Sequence, residues 1–416
     1  MNKENVINNM SFCMNPWTHI NTTPSGDAQP CCISDPLFKI GNSKTNSLME
    51  LVNSDQMNKL RVDMLSGKKS TACSVCYKHE ESGYDSFRLQ VNRNYSNFYD
   101  ELIPLTNTDG SLQEFKMKYF DIRFNNICNM KCRTCNDTFS SQWEMENKKG
   151  NINSSNEPKR NNKKFLQEVL DQIPNIQTAY FAGGEPLITE EHYIMLEEII
   201  RQGRTDITLR YNTNLSNLTY KDKDLISLWS NFTNKIVINA SIDHFGKKAE
   251  YIRKGTVWAD IEENYKKLQQ VPNILLGINT VLSIYNFLTM DEFYQYLFDQ
   301  GMSKPTSPLK PTSPNSLNNV IYKMNSPDYL SPLILPDKFK KQGIERISRL
   351  AEKMLTMDFT EGATNEVSSI IPWIDSDSED QWDLHKVMFR QETARLDQLR
   401  GEDFSKIFPE LAELLG

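Results

Sequence analysis

The stretch KMKYFDIRFNNICNMKCRTC, residues 116–135, joins a strand to a metal-ligating pattern with nothing between them. Its first part, 116–124, carries aromatic and β-branched residues and predicts a β-strand. Its second part sets thiols at Cys128, Cys132 and Cys135, a Cys-x3-Cys-x2-Cys spacing with no fourth cysteine beside it. Structural zinc takes four protein ligands, whereas a metal site that does chemistry keeps one position open. Thiolates also hold iron–sulfur clusters, one cysteine per iron when all four ligands are cysteine. Three thiolates on a cubane leave one iron open to a small molecule.

Downstream the same element returns. Segments 178–182 (TAYFA), 207–212 (ITLRYN), 235–242 (KIVINASI), 274–281 (ILLGINTV) and 318–324 (NNVIYKM) read as strands, several of them apolar through most of their length. Between them lie helical patterns such as EEHYIMLEEIIRQG and VWADIEENYKKLQQV. Strand–helix alternation with crossovers of this length predicts a parallel sheet with helices outside it. Six units are fewer than the eight of a closed barrel, so the expected fold is α/β, a partial (βα)6 TIM-like barrel. Ligands gather at the C-terminal ends of such strands, and the cysteine triplet begins at that end of the first one.

The totals narrow the function. Against 54 acidic residues stand 47 basic ones, a net charge of −7, which argues against non-specific nucleic-acid binding. The start, MNKENVINNM, lacks a basic region followed by an apolar run, and no stretch approaches about 18 apolar residues. The expectation is a soluble, cytoplasmic protein with no membrane partner. All eight cysteines fall in the first third of the chain, in two groups, and in a reducing compartment close-spaced cysteines are more often metal ligands than disulfides.

Residues 1–102 differ from the rest, being rich in Asn, Ser and turn residues, with Cys13, Cys31, Cys32, Cys73 and Cys76. SLMELVNSDQMNKLRVDMLSG (47–67) predicts one or two amphipathic helices ending at Gly67. The apolar content is low, so metal is expected to supply much of this module's folding energy. Residues 103–114 read as a linker, 115–330 as the core, and 331–416 as a helical extension. Lys-Pro-Thr-Ser-Pro occurs twice within 303–316, which reads as a loop of polyproline II character, and 147–164 reads as a second polar loop.

The triplet, in its place after the first strand, resembles the signature of radical S-adenosylmethionine (SAM) enzymes. Other positions fall in the order that resemblance implies. GGEP (Gly183, Gly184, Glu185, Pro186) follows the second strand, where the family uses a glycine-rich turn to receive the amino group of SAM. Asn212 and Asn214 end the third strand; Ser241 and Asp243 end the fourth, followed by Arg253. By resemblance these line the ribose and carboxylate pockets, and Asn279 on the fifth strand passes the adenine. The family usually places an aromatic before the third cysteine, where this chain has Thr134. The implied chemistry is reductive cleavage of SAM to a 5′-deoxyadenosyl radical that abstracts hydrogen from the substrate. No catalytic side chain is assigned.

The first cysteine group contains Gly26-x4-Cys31, the opening of the SPASM pattern, and ends in Cys73-x2-Cys76. A full SPASM domain has another cysteine five residues on, but position 82 is Ser, so the module resembles the shorter twitch version. That resemblance implies one auxiliary [4Fe-4S] cluster on Cys13, Cys31, Cys73 and Cys76, hence two [4Fe-4S] clusters and SAM as cofactors. Most relatives carry this module after the barrel, and here it comes first. Cys32 is a fifth thiol whose role stays open: spare, alternative ligand or simply buried. The implied partners are a peptide, protein or small-molecule substrate and an electron donor such as flavodoxin or ferredoxin. An oxidoreductase is the leading class. The rival is a non-enzymatic zinc-stabilised binding protein in which both cysteine groups are structural.

Overall fold

The computed structural model describes residues 9–83, 85–150, 163–303, 319–357, 359, 361–375 and 382–416. The repeated Lys-Pro-Thr-Ser-Pro stretch at 304–316 and the middle of the polar loop, 151–162, lie outside these residues. The chain divides into two compact units, 1–128 with 137–211 and 219–236, and 129–136 with 212–218 and 237–416.

In the first unit, β1 (Asn21–Thr22), β2 (Asp27–Gln29) and β3 (Gly41–Asn42) form an antiparallel ribbon. β4 (Tyr119–Ile122) and β5 (Thr178–Phe181) run parallel to each other, and β5 runs parallel to β6 (Thr208–Thr213), whose last two residues belong to the second unit. The ribbon joins this sheet through β1, which pairs in parallel with β4, Asn21 opposite Asp121 and Thr22 opposite Ile122. A hairpin of β7 (Thr219–Tyr220) and β8 (Lys223–Asp224) completes the unit. In the second unit, β9 (Ile236–Ser241), β10 (Ile274–Leu282) and β11 (Asn319–Lys323) stand in that order, β10 and β11 parallel. Helices such as Glu190–Arg201 after β5, Trp258–Gln269 after β9 and Met290–Asp299 after β10 fill the crossovers. This is the expected (βα)6 series behind an N-terminal module.

Strand residues alternate between two environments. Phe120, Phe181 and Tyr211 pack ring to ring at 5.3 and 5.1 Å beneath helix Glu190–Arg201, whose His192 meets Phe181 and Tyr211 edge-on. That helix buries His192, Met195, Leu196 and Ile199, the spacing of one helical face, and opens with Glu190 and Glu191 at its positive N-terminal end.

The N-terminal module departs from expectation. Phe12, Met14, Trp17, Leu51, Met57 and Leu60 are buried, so it carries an apolar core of its own, each such side chain contributing about 1.5–3 kcal/mol. These residues are dispersed at helical spacing, which made the segment look poor in apolar content. The two expected helices are Leu48–Val52, closed by a Ser47–Glu50 capping box, and Asp55–Leu65, capped by Ser54. Buried Arg61 ties the module together by donating to the carbonyls of Pro16, Val52 and Gly110, and burial pushes its pKa down to about 9. Residues 103–114 are docked rather than loose. Asn53 exchanges hydrogen bonds with the Leu112 backbone at 3.0 and 2.8 Å, and Leu112 is buried.

The C-terminal extension is helical, with Asp337–Thr356 and Trp382–Arg400 in the second unit. Among the described residues no helix is long and apolar enough to cross a membrane.

Candidate metal centres and cofactor pocket

In the first unit the chain leaves β4 and reaches Cys128, which is buried. The Ser141 hydroxyl accepts from the Cys128 N–H and donates to its carbonyl, both at 3.2 Å. One residue earlier, the Ile127 carbonyl accepts from the Glu185 N–H at 2.7 Å, so the GGEP turn is tied to the approach to the first cysteine. Two glycines are required there. Gly183 sits at φ +120°, and a side chain on Gly184 would put its first carbon 2.2 Å from the Ile127 carbonyl oxygen. Glu185 is buried and accepts from the Leu187 N–H at 3.0 Å, opening the turn Pro186–Ile188. A small pocket opens here, lined in part by Arg123, Asn125, Gly184 and Glu191.

The second unit holds the rest of the triplet. The segment 129–136 is strapped down by two backbone bonds, Lys131 N–H to the Lys254 carbonyl at 2.8 Å and Arg133 N–H to the Ile252 carbonyl at 2.7 Å. The Cys135 N–H donates to the Cys132 carbonyl at 3.1 Å. The strap carries Arg253, whose Nη1 donates to Cys132 Sγ at 3.9 Å. Asp243 fixes that guanidinium: Nη2 donates to Oδ1 at 3.1 Å, and Nε stands 2.8 Å from Oδ2 as an ion pair without hydrogen-bond alignment. Asp243 also accepts from the Val281 N–H at 2.8 Å. Burial pushes the Cys132 thiol up, and Arg253 acts against that.

Arg133, inside the triplet, was not singled out in the sequence. Its side chain is fully buried, lies 3.7 Å from the centre of the Tyr251 ring, and pairs with Asp397 at 2.5 Å and Glu402 at 2.8 Å. Tyr251 in turn donates to Asp397 at 2.7 Å. The helical extension thus grips the loop between Cys132 and Cys135. Acids more than 260 positions away leave no local pattern in the sequence.

Strand ends complete the second unit's part. Asn212 Oδ1 accepts from Asn239 at 3.2 Å and from Asn279 at 3.1 Å, while Asn239 Oδ1 and Asn279 Oδ1 are buried without a partner among the described residues. Asn214 donates to Asn129 at 2.9 Å, and Asn129 to Ser216 at 2.8 Å. Asn214, Ser241, Asp243 and Arg253 line a small pocket. Asn239 is an addition; its signal was a lone amide inside the apolar run KIVINASI. Buried amide oxygens that the described residues leave unpaired cost free energy, so they fit a polar ligand such as SAM.

The auxiliary cysteines lie in the first unit, and none of the eight is in a disulfide. Burial pushes Cys13 up, followed by the charges of Cys73 and Cys76; Cys31 is pushed up by burial and then by Cys32, Cys13 and Cys73. Burial, then Cys76, takes Cys73 up to about 11. Cys13 thus stands within electrostatic range of Cys31, Cys73 and Cys76, and Cys73 of Cys31 and Cys76. Cys32 is held up to about 12 by burial and then by Asp121, with Arg123 opposing and Cys76 adding to the rise. Among the described residues no three His, Cys, Asp or Glu side chains are placed to hold a single metal ion. The fit rests on the donor set. Buried thiols that disfavour each other's ionisation need a cationic centre to become thiolates, and four of them match the ligand set of a cluster.

Residues 13–77 match the SPASM family, an iron–sulfur cluster-binding domain. That match, with the (βα)6 series and its cysteine triplet, supports a chain of the radical SAM, twitch/SPASM type. A SPASM domain implies an iron–sulfur cluster. Among solved structures, the chain is similar to native anSMEcpe with bound AdoMet at 15% identity and TM-score 0.41, over 58% of this chain and 63% of that one. It is similar to Streptococcus suis SuiB bound to precursor peptide SuiA at 13% identity and TM-score 0.36, over 73% and 62%. For TYW1 with a lysine-pyruvate adduct the figures are 12% and 0.31, over 57% and 70%. The chain thus spans less than two thirds of the first two. No curated protein matches it.

Proposed function

We propose that the chain is a radical SAM enzyme acting on a peptide or protein side chain. Cys128, Cys132 and Cys135 would hold one [4Fe-4S] cluster, with its open iron facing SAM. Cys13, Cys31, Cys73 and Cys76 would hold a second. The observation that carries this reading is the Cys132–Arg253–Asp243 arrangement: a buried thiol, an arginine aimed at it, and a carboxylate fixing the arginine beside a pocket. Support for a peptide substrate comes from SuiB, solved with precursor peptide SuiA, and from anSMEcpe, solved with Cp18Cys peptide.

When bound, the cluster and SAM supply the electron and the hydrogen-abstracting radical; the protein supplies placement. The Gly183–Gly184 turn offers backbone to an amino group. Asn212, Asn239 and Asn279 offer amides to the nucleoside. Cys13, Cys76, Cys128 and Cys132 are buried, which keeps water from them, while Cys31, Cys73 and Cys135 are half-buried. With four thiolates the auxiliary centre would have no open position, which leaves it either electron transfer from the substrate, making the net reaction an oxidation, or shaping of the pocket. The electron for SAM cleavage comes from a donor such as flavodoxin or ferredoxin.

The test is anaerobic reconstitution followed by iron, sulfide and zinc analysis and an assay for 5′-deoxyadenosine under reduction. About eight irons per chain, given four per cluster, and slow 5′-deoxyadenosine release are expected. A colourless zinc protein without SAM cleavage would return the chain to the rival reading.

A further inference from the structure

Parallel strands covered on both sides are ordinarily apolar on both faces. On β4–β6 one face is not. Opposite the Phe120–Phe181–Tyr211 layer stand Tyr119 and Asp121 on β4, Arg123 just past its end, Tyr180 on β5, and Arg210 on β6. Tyr119 and Tyr180 stack at 6.5 Å, and Tyr180 is in register with Arg210. Asp121 is fully buried and is the one acid among these residues. Its Oδ2 accepts from Asn21 at 2.9 Å and its Oδ1 from Arg123 Nε at 3.4 Å.

That leaves the far edge of Arg123 unused. Its terminal nitrogens, and the whole Arg210 guanidinium, have no hydrogen bond or ion pair among the described residues. Arg123 lies along Gly183, its Cγ 3.4 Å from where a side chain on that glycine would begin, and its charge acts on Cys32 and Tyr180. The unused edge therefore lies between the glycine-rich turn and the auxiliary module. Two guanidiniums against one carboxylate leave one positive charge, which one further carboxylate would neutralise.

We propose that Arg123 and Arg210 form an anion-binding face that holds a carboxylate of the peptide substrate, with Asp121 and Asn21 fixing Arg123 from behind. The proposal rests on the peptide-modifying reading above and adds what the peptide must carry: a free C-terminus or an acidic side chain. A guanidinium bound along its Nε edge keeps a two-nitrogen edge, Nη1 and Nη2, for a further charge-assisted contact.

The experiment is calorimetric titration of the reconstituted full chain with N-acetylglycine, using its neutral amide as control, in wild type, Arg123→Gln, Arg123→Lys and Arg210→Gln. The acid should bind at least tenfold tighter than the amide. In both glutamine variants it should fall to the amide's level, while Arg123→Lys keeps part of the preference and shows the fold intact. Affinity for SAM, titrated in parallel, should stay within twofold in Arg210→Gln, which lies outside the pocket beside Gly184. Equal binding of acid and amide, or no binding of either, would overturn the proposal. So would inorganic phosphate binding more tightly than the acid. A tenfold loss of SAM affinity with acid binding unchanged would assign the face to the carboxylate of SAM instead. Wild type that fails to cleave SAM would sink the enzymatic reading, while the acid–amide comparison would still report on this face.

Discussion

Arg253 donates to the Cys132 sulfur from a position that Asp243 fixes through two contacts on the same guanidinium. A cation placed this way favours thiolate over thiol at Cys132. Arg253→Ala and Asp243→Ala should each weaken SAM binding by about tenfold to a hundredfold, the equivalent of about 1.5–3 kcal/mol for a charge-assisted contact, with iron content kept. Calorimetry with SAM and iron analysis check both halves of the statement.

The grip on Arg133 makes a different prediction. Asp397→Asn with Glu402→Gln leaves a fully buried guanidinium without a counter-charge, a change that costs about 3–5 kcal/mol. The expected result is a lower unfolding temperature and faster loss of iron to a chelator. Wild-type chelation kinetics would show that the extension does not hold the loop.

The two cysteine groups should separate by substitution. Cys73→Ala with Cys76→Ala should lower the iron count from about eight to about four, given four per cluster, retain 5′-deoxyadenosine release, and abolish product formation. Cys32→Ala should keep its full iron, because Cys31 fits the Gly-x4-Cys register and Cys32 does not.

Gly184→Ala tests the turn. The new methyl would meet the Ile127 carbonyl oxygen at 2.2 Å, and the way to relieve that is to move the backbone leading into Cys128. The expected outcome is a loss of SAM affinity of at least tenfold with circular dichroism unchanged.

Stability should depend on pH through buried histidine. Burial lowers His192 from 6.5 to about 3, and its Nε2 lies 3.0 Å from the Tyr211 hydroxyl. Between those values the unfolded chain binds a proton that the folded one excludes, so stability is complete above about pH 6.5 and declines as pH falls toward 3. The slope from this residue is about 1.4 kcal/mol per pH unit. Urea denaturation from pH 8 to pH 5 should show a plateau and then a decline, with a shallower decline in His192→Phe.

Much of the architecture was legible because its signals are local. The strand-then-triplet run at 116–135, the alternation of strands and helices, the capped helices of 47–67 and the Gly-x4-Cys and Cys-x2-Cys spacings each sit within a few residues. The N-terminal core was underestimated because Trp17, Leu51 and Leu60 come together from separate short helices. The docking of 103–114 was missed for the same reason, since Asn53 and Arg61 reach it from about 50 residues away.

By itself the sequence determined where thiols can ligate and the order of strands that present them, since covalent spacing and side-chain periodicity survive in any conformation. Tertiary structure alone decided what stands against those groups. It set Arg253 on Cys132, Asp397 and Glu402 on Arg133, the third asparagine beside Asn212 and Asn279, and the unused edge of Arg123 beside Gly183. The physical reason is that charge pairing and desolvation act through space. Their strength depends on distance and burial, and neither is a property of neighbours along the chain.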